Sequence, residues 1–190
     1  MKIRVSWYTV TNDLGPGRRF ALWVQGCHKR CRGCISPSFR DMDGGKEYET
    51  DDILRMILDA DVSHVTISGG EPFLQSEALA DILTRLRQQR DVGVICYTGY
   101  KYEEIASDPL AGLVDLLIDG EYVEELDDGL PMRGSSNQRL IYLTDRYTSD
   151  DLPKHRTSTA FFEDENMILV GIPSKGAKEF LDMVRSDTDD

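Results

Sequence analysis

Long apolar runs are missing from this 190-residue chain: no charge-free hydrophobic stretch approaches the roughly 20 residues a helix needs to cross a bilayer, so no membrane role is expected. The opening segment MKIRVSWYTVTNDLG lacks the apolar centre and small-residue cleavage site of a secretory signal, which makes the cytoplasm the expected compartment. Basic residues are outnumbered, 22 Lys and Arg against 34 Asp and Glu, giving a net charge of −12. That balance argues against nucleic-acid binding, because a phosphate backbone demands a basic surface. Internal repeats and linker-like stretches are absent, and seven prolines and sixteen glycines are spread along the chain. Cysteine is scarce as well, with four residues, too few for a disulfide scaffold and typical of a reducing compartment. With 40% apolar residues the chain has enough to bury one core unaided. A single domain over 1–190 is therefore expected, in which 144–190 form a C-terminal extension packed on the core and 186–190 a frayed acidic tail.

What is present alternates in period. The stretches 20–25, 65–67, 92–97, 113–118, 140–143 and 167–172 are short apolar runs rich in branched or aromatic residues and read as buried strands. Between them, Ile53, Met56, Ile57 and Ala60 carry helical spacing, as do Leu79, Ile82, Leu83 and Leu86. A third helical stripe comprises Ala177, Phe180, Leu181 and Val184. Thr50, Ser76 and Ser174 stand where N-caps are expected. The pattern predicts an α/β fold of mostly parallel strands covered by helices, open or partly closed like a barrel. The polar stretch 146–159 is expected to be a surface excursion.

Three of the four cysteines, Cys27, Cys31 and Cys34, fall within eight residues, in the spacing Cys-x3-Cys-x2-Cys. In a parallel sheet this loop, the segment Ser68–Pro72, the segment Thr98–Tyr100 and the segment Asp119–Tyr122 all follow strands and so converge on the carboxyl edge, where α/β proteins bind ligands. Three thiolates so placed can each hold one iron of a [4Fe-4S] cluster and leave the fourth iron open to a small molecule. His28 is a conceivable fourth ligand, but its position beside Cys27 should point it away. Cys96 sits mid-strand and reads as an inert core thiol. A zinc-stabilised binding module built on the three cysteines and His28 is an alternative. Against it, the next cysteine lies 62 residues beyond Cys34, whereas structural zinc sites pair two knuckles. From Arg18 to Lys46 seven Lys or Arg face two acids, so the loop sits in a locally basic segment suited to an acidic partner surface.

The three cysteines followed by Gly69-Gly70-Glu71-Pro72 resemble the radical S-adenosylmethionine enzymes. The stretches GPGRRFALWVQGC, YTGY and LLIDGEYVEELDDGLPMRGSSNQRL resemble, in order over roughly residues 14–143, the activating proteins of anaerobic ribonucleoside-triphosphate reductase. The resemblance implies a radical S-adenosylmethionine fold, a partial (β/α)6-type open barrel. It implies that Cys27, Cys31 and Cys34 ligate a [4Fe-4S] cluster whose open iron is chelated by the methionine end of S-adenosylmethionine. Gly69, Gly70, Glu71 and Pro72 would then line the methionine moiety, with Glu71 near its ammonium group. Asp119 would meet the ribose hydroxyls or the sulfonium, although a turn aspartate is an equal reading. Ser136, Asn137 and Gln138 would line the pocket or form a plain surface turn. Gly33 replaces the aromatic residue that often supports the adenine, so the base must be held by other groups. The implied reaction is reductive cleavage to a 5′-deoxyadenosyl radical that generates a glycyl radical on a larger partner enzyme, fed by a flavodoxin- or ferredoxin-type reductant. Ile35-Ser36-Pro37 after the third cysteine and the C-terminal segment keep a peptide or small-molecule target open.

Overall fold

The computed structural model describes residues 1–163, 166–174 and 176–177. Seven strands form one sheet in the order β3-β1-β2-β4-β5-β6-β7. They are β1 (Lys2–Thr11), β2 (Arg19–Val24), β3 (Lys46–Glu49), β4 (His64–Gly69), β5 (Gly93–Tyr97), β6 (Leu116–Asp119) and β7 (Arg139–Tyr142). The helices α1 (Thr50–Asp59), α2 (Ser76–Arg87) and the one-turn α3 (Tyr102–Ile105) lie between them. Two further strands, β8 (Ser158–Glu163) and β9 (Asn166–Gly171), pair antiparallel as a separate two-stranded sheet. No helix among the described residues is long and apolar enough to cross a membrane.

The fold is α/β, with the parallel centre expected and antiparallel strands added at its flanks. Only β2, β4, β5 and β6 run parallel to their neighbours, while β1, β3 and β7 are added antiparallel at the flanks. The seven residues between β1 and β2 are too few for a crossover, so that pair has to run antiparallel. β1 escapes a search for apolar runs because its branched and aromatic residues alternate with Lys, Arg, Ser and Thr.

Strand β2 is buried at all six positions, and its alternation divides the interior. Phe20, Leu22 and Val24 join Ile53 and Ile57 of α1 and Leu79, Ile82 and Leu83 of α2 in the main core. Ala21 and Trp23 point the other way, into a cluster with Leu14 and Val170 of β9. The stripes of α1 and α2 thus meet one face of the sheet, and the C-terminal hairpin meets the other.

Several boundaries differ from expectation for local reasons. Thr50 and Ser76 are the first residues of their helices rather than the caps, which are Glu49 and Gln75 without side-chain capping bonds. The Gln75 amide is engaged elsewhere, accepting from the Arg4 N–H at 2.7 Å and donating to the Arg4 and Gln25 carbonyls. The run expected as a strand over 113–118 begins with a 3-10 turn at Ala111–Leu113, and β6 starts only at Leu116. Ser174 Oγ accepts from the Ala177 N–H at 3.3 Å, as a cap would, but Phe180, Leu181, Val184 and the acidic tail lie outside the described residues.

The stretch 146–159 is mostly exposed, as expected of a surface excursion, but a few inward side chains anchor it. Tyr147 is 4% exposed, and its hydroxyl meets His64 Nδ1 at 2.8 Å. Arg156 lies buried beneath the loop 127–134, which its guanidinium engages through backbone carbonyls. Arg19, one of the basic residues counted near the cysteines, is wholly buried and donates to the Leu14 and Pro16 carbonyls and to Thr66 Oγ1. Burial lowers its pKa, and the bonds hold the loop that precedes β2 against β4.

Candidate active site

The cysteine loop leaves the end of β2 and returns to it. Its neck is closed by the Gly26 N–H to the Phe39 carbonyl at 2.9 Å, Cys27 N–H to the Arg40 carbonyl at 3.1 Å, and Gln25 Nε2 to the Asp41 carbonyl at 2.7 Å. The segment after β4 is stitched to this neck: Gly70 N–H donates to the Val24 carbonyl at 2.7 Å and Glu71 N–H to the Gly26 carbonyl at 2.8 Å. Both glycines are required by this approach. A Cβ on Gly69, whose φ is +113°, would lie 2.4 Å from the Val24 backbone, and one on Gly70 would lie 2.2 Å from the Gly26 carbonyl oxygen. Their missing side chains admit this chain's own backbone, and so fix the cysteine loop beside the Gly-Gly-Glu segment.

Cys27, Cys31 and Cys34 are half-buried free thiols that line one cavity of about 210 Å³ together with Gly69, Gly70 and Glu71. Burial pushes the Cys27 and Cys31 thiols up from their ordinary values. Cys96 is wholly buried within β5 among apolar side chains, and burial raises its thiol well above the usual range. Among the described residues no three His, Cys, Asp or Glu side chains converge on a single-ion position. A cubane cluster makes a different demand, one thiolate for each of several irons, and three thiols on one cavity wall fit it.

Glu71 is 1% exposed and heavily engaged. Its Oε1 accepts from Thr98 Oγ1 at 2.7 Å and the Phe73 N–H at 3.1 Å, and its Oε2 from the Gly99 N–H at 2.8 Å. Burial raises its pKa although all three bonds favour the ionised form. The carboxylate thereby joins the turn after β4 to the turn after β5 at the edge of the cavity. Glu71→Gln should cost about 1–3 kcal/mol in urea unfolding, because either amide orientation leaves the Gly99 or Phe73 N–H facing a donor. A variant with an unchanged midpoint would rule out this clamp.

The other expected residues fare unequally. Pro72 opens the 3-10 turn that leads into α2 and is buried. Asp119 is 1% exposed, but its carboxylate accepts from the Tyr102 N–H at 2.7 Å and from Arg139 Nε at 3.0 Å. It does not line the cavity. Arg139 also holds Glu103, whose pKa is lowered to about 2 chiefly by that hydrogen bond. Because the folded value is depressed, this pairing contributes above the unfolded value near about 4.3 and is lost as pH falls toward about 2. Carbon-detected NMR titration of Glu103 should show the low midpoint, and Arg139→Ala should return it to the ordinary range. Ser136 and Asn137 are exposed, with Asn137 Nδ2 donating to the Glu121 carbonyl at 2.8 Å. Gln138 does reach the cavity, and its amide braces the loop through the Gly134 N–H and the Gly120 carbonyl.

Local positive charge is largely answered within the chain. Lys29 Nζ lies 2.8 Å from Glu121 Oε1 and 4.8 Å from the Tyr100 ring, and Arg32 pairs with Glu124 and Glu125. His28 turns to Tyr100, with Nε2 3.3 Å from its hydroxyl. Composition gives no hint of these cross-loop pairs. The cavity also includes Trp23, Tyr97, Arg156, Leu169 and Ile172, which sequence reasoning did not associate with the cysteines.

The profile of the family described as "4Fe-4S single cluster domain" matches residues 14–141, two-thirds of the chain and the whole span from the loop before β2 into β7. The anaerobic ribonucleoside-triphosphate reductase-activating protein of Escherichia coli is 34% identical over 151 residues, covering 72% of this chain and 96% of that protein. Its counterpart from Vibrio cholerae is 30% identical over 149 residues, covering 73% and 96%. The pyruvate formate-lyase-activating enzyme of Clostridium pasteurianum is 38% identical over 111 residues, covering 54% of this chain and 47% of that enzyme. With the triple-cysteine loop and the Gly-Gly-Glu turn meeting at one cavity inside the matched region, the chain belongs to the 4Fe-4S single-cluster family, in the radical S-adenosylmethionine group of glycyl-radical activating proteins.

Proposed function

We propose that the protein is a radical S-adenosylmethionine oxidoreductase that generates a glycyl radical on a larger partner enzyme, such as an anaerobic ribonucleotide reductase. The observation that carries this reading is the shared cavity of Cys27, Cys31, Cys34 and the Gly69-Gly70-Glu71 turn, at the carboxyl ends of four parallel strands. When bound, a [4Fe-4S] cluster and S-adenosylmethionine supply reductive cleavage of the sulfonium and a 5′-deoxyadenosyl radical.

The chain's own residues hold and orient. Cys27, Cys31 and Cys34 would ligate three corners of the cluster, and Cys96, walled into β5, leaves the fourth to the cosubstrate. Glu71 Oε2 offers a charge-assisted acceptor to the methionine ammonium, while Lys29 and Arg40 on the same cavity offer donors to an anionic group. Trp23 and Tyr97 add an apolar surface to the same cavity. Asp119, Ser136 and Asn137 stand beside this cavity rather than in its lining, and their part in holding the cosubstrate stays a proposal carried by the resemblance alone. The reading takes the sheet as a partial (β/α)6-type open barrel with the cavity on its inner side, supported by the segregation of α1 and α2 to the other face. It also places the protein in the cytoplasm with a flavodoxin- or ferredoxin-type reductant. Docking through the cysteine loop to an acidic partner surface would compete with Glu121, Glu124 and Glu125 for Lys29 and Arg32.

The test is anaerobic. Reconstituted protein given reductant and S-adenosylmethionine should release 5′-deoxyadenosine and leave a glycyl-radical doublet on a co-incubated glycyl radical enzyme, read by electron paramagnetic resonance. A protein that holds no cluster or cleaves no S-adenosylmethionine would end this reading. Cleavage coupled instead to a mass change in a peptide would redirect it to a peptide-modifying enzyme.

A further inference from the structure

The cavity lining is chemically divided. Lys29, Arg40, Glu71 and Thr98 supply charge and hydrogen-bonding groups. Leu14, Trp23 and Tyr97 supply an apolar portion; Ile172 of the C-terminal segment packs on that cluster, and Leu169 lines the same cavity. S-adenosylmethionine is divided in the same way, with a zwitterionic methionine end and a flat base that gains from leaving water. Gly33 offers the base no ring from the cysteine loop, because its position carries no side chain and a Cβ there would meet Glu124 Oε1 at 2.5 Å.

Leu169 and Ile172 are held firmly enough to act as a wall. Val170 between them is wholly buried against Trp23 and Leu14. Phe161 of β8 packs on Trp7 with ring centroids 5.4 Å apart. Thr159 Oγ1 donates to Asp13 at 2.7 Å, and the Ile172 N–H donates to the Thr157 carbonyl at 3.2 Å. Arg156 anchors the approach to the hairpin and the exit from it, donating to the Leu130 and Pro173 carbonyls. All of these hairpin residues lie beyond residue 141, where the family match ends.

We propose that Leu169 and Ile172 form the wall against which the adenine base of S-adenosylmethionine is held, so that the C-terminal hairpin completes the nucleoside end of the cofactor site. The assignment rests on the functional reading above and adds to it two binding residues outside the matched region. The hairpin is then part of the site rather than an appendage.

Calorimetric titration of the anaerobic, cluster-loaded protein tests it, with S-adenosylmethionine and 5′-deoxyadenosine as separate probes. Leu169→Ala/Ile172→Ala should weaken both by roughly tenfold, from the lost apolar contact, while the cluster's visible spectrum and the fluorescence of Trp7 and Trp23 stay as in the parent. The milder Leu169→Val should lose about threefold on both probes, and it covers the case in which the double variant does not fold. Affinities within twofold of the parent in a folded, cluster-loaded variant would overturn the assignment. So would weaker S-adenosylmethionine binding with unchanged 5′-deoxyadenosine binding, which would place the effect at the methionine end. Failure of the parent protein itself to bind S-adenosylmethionine is a different result, and it removes the functional reading together with the assignment.

Discussion

Replacing any one of Cys27, Cys31 or Cys34 by alanine is expected to abolish 5′-deoxyadenosine formation and bleach the brown colour of the anaerobically reconstituted protein. The loop offers three thiols to its cavity, and the fourth cysteine of the chain cannot substitute, because Cys96 is 0% exposed in the middle of a buried strand. Removing one ligand leaves two protein sulfurs for a cluster that normally takes four ligands. Cys96→Ala should behave oppositely, keeping colour and turnover and costing about 1 kcal/mol of stability as an ordinary core truncation. Iron content, visible absorption and product yield, measured together on all four variants, check the contrast. A Cys96 variant that loses its cluster, or a loop variant that keeps one, would sink the ligand assignment.

Arg156→Ala should loosen the C-terminal hairpin and the loop 127–134 together. The side chain is 4% exposed, and its guanidinium donates to the carbonyls of Leu130 at 2.9 Å, Arg133 at 2.9 Å, Gly134 at 3.3 Å and Pro173 at 3.2 Å. It also pairs with Asp127 at 2.7 Å. Truncation leaves these carbonyls without their shared donor and removes an ion pair to Asp127, which is itself exposed, a loss of about 1–3 kcal/mol. Urea unfolding should show the shift at unchanged slope. Arg156→Lys should recover little, since a compact ammonium cannot span carbonyls presented to a planar fork. A midpoint shift worth less than about 1 kcal/mol in Arg156→Ala would mean that water can replace the guanidinium, and that the hairpin is anchored by its apolar contacts alone.

The cysteine loop was legible because its information is local. Three thiols within eight residues, bounded by Gly26 and containing Gly33, announce a shared ligand in any fold that lets them face one way. The helical stripes of α1 and α2 were legible for the same reason, since a spacing of three and four residues fixes a face before any partner is known. Strand β1 was recoverable from its alternation, but not from a search for continuous apolar runs. The role expected of Asp119 turned on a side chain 20 residues away, because Arg139 reaches it only through the antiparallel pairing of β6 with β7. Arg156 sits in a stretch of polar and charged residues with no periodicity, and nothing local distinguishes it from a solvated surface arginine.

Chain order and residue type alone determined the three-thiol loop, the Gly-Gly-Glu turn that follows the next parallel strand, and the apolar faces that build the main core. Tertiary structure decided which charges are answered within the molecule, Lys29 and Arg32 by the acids of the loop after β6 and Asp119 by Arg139. It also decided that a hairpin near the C-terminal end of the chain lines a cavity begun by residues near its start. The physical reason is range: spacing along a strand or helix is set by covalent geometry over a few residues, whereas the sharing of one cavity by Leu169 and the cysteine loop depends on sheet order, register and packing across more than a hundred.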